Sequence, residues 1–203
     1  MAQQKGGAGK TTLVAHLAIA WAETGLRVAV IDIDPQGSLT RWYQTRSELL
    51  NGAAGIGHIQ ITGWRTQREV ERLTLQNDIV VIDSPPHAQT EARIAVRSAH
   101  LVIVPVQPSP MDMWATQPTL DLAREEKVPA LIVINRVPPR AKLADELIEM
   151  IKGMGAPVAH AQVGNRIQFA AALFEGRSVT ESARRTRAAE EIQELAAEIL
   201  QLG

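Results

Sequence analysis

The chain has 203 residues, of which 45% are apolar and 21% charged, with a formal net charge of −1, the profile of an ordinary soluble α/β domain with a single core. The absence of cysteine excludes disulfides, thiolate metal sites and iron–sulfur ligation. No charged-then-apolar leader opens the sequence and no apolar run approaches the ~20 residues that span a bilayer, so a cytoplasmic protein is expected, and any nucleic-acid surface on so neutral a chain must be local.

The first element is a glycine-rich turn, Lys5-Gly6-Gly7-Ala8-Gly9-Lys10-Thr11-Thr12. Its glycines let backbone N–H groups converge on phosphate oxygens, and Lys10 opens a helix whose N-terminus favours anions. In such a P-loop Lys10 reaches the β- and γ-phosphates of a nucleotide and the Thr11 hydroxyl is placed for Mg²⁺. The first glycine of the strict pattern is replaced by Gln4, and a second lysine, Lys5, precedes the paired glycines. A P-loop follows a buried strand, yet Met1-Ala2-Gln3-Gln4 are too few and too polar for one of usual length. Either the first strand is a stub or the numbering starts late relative to the gene product.

Helical periodicity covers Lys10 to Thr24. The apolar run Val28-Ala29-Val30-Ile31 then reads as a strand buried on both faces, ending on Asp32 and Asp34, which project to the same side of an extended chain. Helical patterns follow from about Ser38 to Leu50 and from about Trp64 to Gln76. Ile79-Val80-Val81-Ile82 is the next strand, and Asp83 at its end occupies the usual place of the acid that holds Mg²⁺ through water, with the stiff Ser84-Pro85-Pro86 after it. A helix over Thr90 to Ala99, a strand over Leu101 to Val104, a proline-rich stretch from Pro105 to Pro110 and a helix from about Asp112 to Glu126 lead to the strand Leu131-Ile132-Val133-Ile134, which ends on Asn135. Beyond Arg140 the patterns are helical: Ala141 to Met154, Arg166 to Glu175, and Ala188 to Leu200.

Strand and helix alternate, which predicts a single domain over 1–203, a doubly wound, mostly parallel α/β sheet flanked by helices. Ligands in such sheets lie beyond the carboxyl ends of the strands, where Asp32, Asp34, Asp83 and Asn135 fall. The five histidines, His16, His58, His87, His100 and His160, lack metal-ligand spacing and read as structural or exposed. Trp21 reads as core, Trp42 and Trp64 as packing, and Trp114 as packing or interface.

The P-loop, Asp32-Ile33-Asp34-Pro35-Gln36-Gly37 and Val81-Ile82-Asp83-Ser84-Pro85-Pro86 together resemble the ParA/MinD family of deviant Walker-A ATPases. Pro105-Val106-Gln107-Pro108-Ser109-Pro110-Met111-Asp112 looks like the small ParA proteins of the ParF type, which lack an N-terminal DNA-binding domain. Gly176-Arg177-Ser178-Val179-Thr180-Glu181-Ser182 extends the likeness over nearly the whole chain. The resemblance implies binding of ATP and ADP with Mg²⁺ and slow hydrolysis by an ATP-dependent homodimer. In it Lys5 reaches across the dimer to the partner's nucleotide and Asp34 orients the attacking water. Asp32 either supports the Mg²⁺ environment or caps its own turn. Asn135 reads the adenine, while Arg136 either stacks on the base or stands free. Pro108 and its neighbours border the adenine and the dimer surface, or form only a rigid crossover loop.

Between 166 and 187 stand Arg166, Arg177, Arg184, Arg185 and Arg187 against Glu175 and Glu181. Such a patch is either a solvated face or a site for non-specific double-stranded DNA; by the family resemblance Arg166, Arg184, Arg185 and Arg187 are the DNA-contacting set. The resemblance also implies a ParB-like partner that stimulates hydrolysis and a nucleoid-associated location. Two alternatives compete. A MinD-like membrane regulator needs a basic amphipathic C-terminal helix, whereas residues 190–198 are acidic, so no membrane partner is expected. A metabolic ligase or transferase on the same fold needs a second substrate pocket, for which no residue constellation is visible.

Overall fold

The computed structural model describes residues 1–3, 5–61, 65–86, 89–139 and 142–202; Gln4, Trp64, His87 and the expected helix start at Ala141 lie outside the described residues. In chain order the elements are α1 (Lys10–Glu23), β1 (Val28–Asp32), α2 (Ser38–Leu49), β2 (Gly57–Gln60), α3 (Arg65–Thr74), β3 (Ile79–Asp83), α4 (Gln89–Arg97), β4 (Val102–Val106), α5 (Pro110–Glu125), β5 (Ala130–Ile134), α6 (Lys142–Lys152), α7 (Ile167–Phe174), α8 (Val179–Ser182) and α9 (Arg187–Leu200).

All the strand pairs are parallel, in the orders β2-β1-β3 and β4-β5. Two extended pieces complete the sheet. Residues 1–3 lie between β3 and β4, with the Met1 ammonium donating to Ile82 O (2.8 Å) and Ala2 N–H to Ile103 O (3.0 Å). On the far side of β5, residues 157–163 run alongside, with Ile132 N–H donating to Pro157 O and Val163 N–H to Ile134 O. The segment ahead of the P-loop thus lies in the sheet between β3 and β4.

Side-chain alternation along the strands separates two helical layers. From β1, Val28 and Val30 join the core that contains α1, α7 and α9, while Ala29 and Ile31 join Val70 of α3 and Ala95 of α4. From β5, Leu131 and Val133 face the α1 side, and Ile132 and Ile134 face Leu120 of α5 and Ile148 of α6. α1 is buried along nearly all of Leu13 to Trp21, as a helix that is apolar all round must be. α9 lays Ile192, Leu195 and Ile199 into the same core, and Trp21 Nε1 donates to Ala196 O at 3.0 Å. The apolar face that a membrane helix would need is therefore already spent on α1. Among the described residues no helix is long and apolar enough to cross a membrane.

The motif from Gly176 to Ser182 acquires a packing role. Ser178 and Glu181 form a capping box at the start of α8, and a side chain on Gly176 would meet Arg46 N at 2.6 Å. His16, fully buried on α1, accepts from Val179 N–H and pairs with Ser178 Oγ (3.2 Å), with its ring against Phe169. Burial lowers its pKa to about 4, against a hydrogen bond at Phe169 and the nearby Glu181 carboxylate, which raise it. The folded state therefore holds fewer protons at His16 than the unfolded chain does. Stability is at its full value above about pH 6.5 and falls as the pH drops from there towards 4, by about 3 kcal/mol in all. His16→Gln should flatten that part of the stability–pH profile in urea titrations; an unchanged slope would assign it elsewhere.

Candidate functional site

The loop 5–9 follows that sheet segment and turns into α1. Gly7 (φ 82°) and Gly9 (φ 91°) take left-handed backbone, a region that side chains resist. Gly9 is further constrained because a Cβ there would overlap Nδ2 of Asn135. That amide donates to Ala8 O (2.8 Å), and its oxygen accepts from Arg136 N–H (2.9 Å). Asn135, expected to read adenine, here pins the loop with one N–H and with its oxygen, and Arg136 lines the cavity. Gly9→Ala combines strain and overlap, and the expected result is loss of nucleotide affinity by ~100-fold or more in a fluorescent-ADP titration, with Tm little changed.

A cavity of about 760 Å³ opens over the loop, lined by Gly6, Gly7, Gly9, Lys10, Thr11 and Thr12 on one side and by Asp34, Arg41, Trp42, Pro86, Arg136 and Phe174 around it, within the size range of small-ligand sites. Lys10 is buried, its Nζ donating to Gln3 O at 2.9 Å and to Lys5 O at 3.5 Å. Burial lowers its pKa, opposed by Asp83 and Asp34. Carbonyl oxygens are weak partners for an ammonium, so an anion in the cavity would draw it readily.

Thr11 Oγ1 donates to Asp83 Oδ2 at 2.6 Å, and the other carboxylate oxygen, Oδ1, is buried with no partner. Burial pushes Asp83 up to about 6, against the Thr11 hydrogen bond and the Met1 ammonium. A hydroxyl beside a half-satisfied buried carboxylate is what a Mg²⁺ ion with phosphate ligands requires, so the residues present fit that ion. No cluster of three or more metal-ligating side chains occurs among the described residues, in keeping with a metal held mainly by nucleotide and water.

Asp32 departs from the metal reading. Its Oδ1 accepts from Asp34 N–H (3.1 Å) and its Oδ2 from Thr40 N–H and Oγ1 (2.9 and 2.7 Å), so its carboxylate closes the turn into α2. These are the contacts of the turn-capping alternative. Thr40 Oγ1 also meets His58 Nε2 at 3.0 Å, and His58 stacks on Tyr43. Asp34 makes the next turn, accepting from Gln36 N–H (2.9 Å), and faces the cavity.

Lys5 does not enter its own loop. Its Nζ pairs with Asp112, whose side chain is 2% exposed while that of Lys5 is 34% exposed. Asp112 also accepts from Ser109 Oγ (2.6 Å), and Ser109 caps α5. The proline-rich segment meets the loop through Gln107 Nε2, which donates to Gly7 O (3.1 Å); Pro108 does not line the cavity. Sequence reasoning gave no site role to Asp112 or to the cavity-facing Arg41 and Phe174, and read the cavity-facing Trp42 as packing. Ser109-Pro110 followed by Asp112 was a readable helix start, but the partner of Asp112 lies 107 residues away.

The arginine set divides. Arg166 is bound by both oxygens of buried Glu191 (2.9 and 2.6 Å), and Arg187 pairs with Glu190, Glu191 and Glu194. Both are ion-paired to glutamates of α9, and their side chains remain 35% and 52% exposed. Arg184 has only a long contact to Glu23 (3.7 Å), and it and Arg185 are exposed.

Known proteins resemble this chain over most of its length. The CobQ/CobB/MinD/ParA nucleotide binding domain (CbiA) matches residues 1–179. The maintenance of carboxysome distribution protein A of Halothiobacillus neapolitanus is 30% identical over 210 residues, covering 98% of this chain and 94% of that protein. The structure of a Cyanothece McdA variant in complex with ATP superposes with a TM-score of 0.78 at 18% identity, covering 98% and 94% of the two chains. The Pyrococcus furiosus cell division ATPase MinD does so with a TM-score of 0.81 at 18% identity, covering 100% and 97%.

Proposed function

The chain belongs to the CobQ/CobB/MinD/ParA family of P-loop ATPases, and on that premise we propose that it is an ATP-switched dimer that positions a large cargo on DNA. The observation that carries this reading is Lys5. Its Nζ is held by Asp112, and its side chain is 34% exposed. A part-exposed lysine at that place serves a second nucleotide, the one in a facing copy, where two triphosphates brought together need added positive charge.

In the proposed cycle the loop N–H groups and Lys10 hold the β- and γ-phosphates, and Arg136 borders the base. Thr11 and Asp83 would hold Mg²⁺, which supplies charge neutralisation when bound. Asp34 orients a water whose oxygen bonds to the γ-phosphorus as the bond to the β-phosphate oxygen breaks, giving ADP and phosphate. A ParB-like partner accelerates this step, and the slow intrinsic rate keeps the ATP state long-lived.

The full-length likeness to a carboxysome distribution protein supports a carboxysome-like body as cargo ahead of a plasmid. The DNA track is assigned to Arg184 and Arg185, the arginines left most open on this surface. Binding to arbitrary duplex DNA should require ATP, fall steeply with salt, and weaken severalfold in the Arg184→Ala/Arg185→Ala double variant. Equal binding with ATP and ADP in a fluorescence-anisotropy titration would contradict the switch. A membrane role is disfavoured because α9 buries its apolar face and presents Glu190 and Glu194 outward.

A further inference from the structure

The turn that carries Asp34 is held from outside the nucleotide cavity by a chain of hydrogen bonds that ends on the edge strand β2. Asp32 Oδ1 accepts from Asp34 N–H (3.1 Å), and Asp32 Oδ2 accepts from the Thr40 hydroxyl (2.7 Å). That hydroxyl has one proton, and the carboxylate takes it. Thr40 Oγ1 is left to accept, and the group facing it at 3.0 Å is His58 Nε2, which must therefore carry a hydrogen. Burial lowers the pKa of His58, with Asp32 opposing the shift. Near neutral pH the ring is neutral, and its single N–H is the one on Nε2.

The imidazole is held in place for this bond. It stacks on Tyr43 of α2, with ring centroids 4.5 Å apart and planes 17° from parallel, and the Tyr43 hydroxyl reaches Ile56 O at 3.5 Å. Parallel pairing sets His58 beside Val30 and Gln60 beside Asp32, and Ile61 N–H donates to Asp32 O (3.0 Å). The segment from His58 to Ile61 thus meets the turn twice, once through its backbone and once through the imidazole. Asp34 lines the cavity, whereas His58 does not.

We propose that His58 is a positioning residue for ATP hydrolysis. Its Nε2–H fixes the Thr40 hydroxyl on Asp32, and Asp32 in turn fixes the backbone from which Asp34 reaches the attacking water. This rests on the role given to Asp34 under the proposed function. Because His58 acts on the turn and not on the phosphate loop, its removal slows the chemical step and leaves nucleotide affinity in place; a shift of about 1 Å at a reacting group can cost ~100-fold in rate.

The test measures single-turnover ATP hydrolysis and fluorescent-ADP affinity in His58→Phe, His58→Gln and Asp34→Ala. Phenylalanine keeps the stack on Tyr43 and removes the donor, while glutamine returns an N–H near the position of Nε2. His58→Phe should hydrolyse ~10-fold more slowly with ADP affinity within about twofold of the parent, and His58→Gln should regain most of the rate. A parental rate in His58→Phe, beside an inactive Asp34→Ala, would overturn the role of His58 and leave that of Asp34 standing. Equal losses in the phenylalanine and glutamine variants, or a loss that appears in ADP affinity, would overturn the donor role. A parental rate in Asp34→Ala would overturn the reading of Asp34, and the proposal with it.

Discussion

Replacing Lys5 with alanine leaves a folded monomer that binds nucleotide and no longer dimerises with ATP. The loop geometry survives because Lys5 contributes nothing to the left-handed turns at Gly7 and Gly9, and because Lys10, Thr11 and Asn135 make their bonds without its side chain. What is lost at home is one charged bond to buried Asp112, which keeps Ser109 Oγ on one oxygen and has no partner on the other, so the stability cost is about 2–3 kcal/mol. What is lost across the dimer is a cation at a dry face between triphosphates. Truncation there costs ~3 kcal/mol or more, a weakening of dimerisation by at least ~100-fold. Lys5→Arg tests geometry against charge: the guanidinium is longer and forked, so it should restore dimerisation only in part. Unchanged dimerisation in Lys5→Ala would remove the central role assigned to this residue.

The largest stability effect is expected far from the nucleotide, at Arg46. This arginine is buried on α2, with Nε donating to Ala54 O (2.7 Å), Nη1 to Gly176 O (3.2 Å), and both terminal nitrogens to the Glu181 carboxylate (2.8 Å each). Burial raises the pKa of Glu181, yet hydrogen bonds from Arg46 and from Ser178 N–H outweigh that and hold it below the usual range. Arg46→Met fills the volume but strands a half-buried carboxylate and two carbonyls. The expected loss is about 3–5 kcal/mol, a fall in Tm of roughly 10 °C for a chain of this size. Adding Glu181→Gln should recover part of the loss, since the amide keeps the capping bond to Ser178 N–H without a charge to pair. A loss below about 1 kcal/mol would mean that the pair is solvated in practice.

The chemistry of the loop was legible because it is local. Glycines, lysine and threonine at fixed offsets have few other uses, and the four apolar runs became β1, β3, β4 and β5. β2 was not legible: Gly57-His58-Ile59-Gln60 is an edge strand, half in solvent, and has none of the β-branched density of the central strands. The residues assigned by type alone fared differently from those assigned by spacing. Asn135 and Arg166 were read as facing a ligand, and Asp32 as facing a metal or capping its turn; each also bonds within this chain, to Ala8, to Glu191 and to Thr40. A sequence shows that a group can bond but not which of several distant partners claims it. The same limit hid Asp112, Arg46 and the cavity wall formed by α2 and α7.

The most direct test of the switch is sedimentation equilibrium of Asp34→Ala with Mg²⁺ and either ATP or ADP, since loss of the water-orienting carboxylate holds the ATP state. Twice the monomer mass is expected with ATP and the monomer mass with ADP. The same mass with both nucleotides would contradict an ATP-switched dimer.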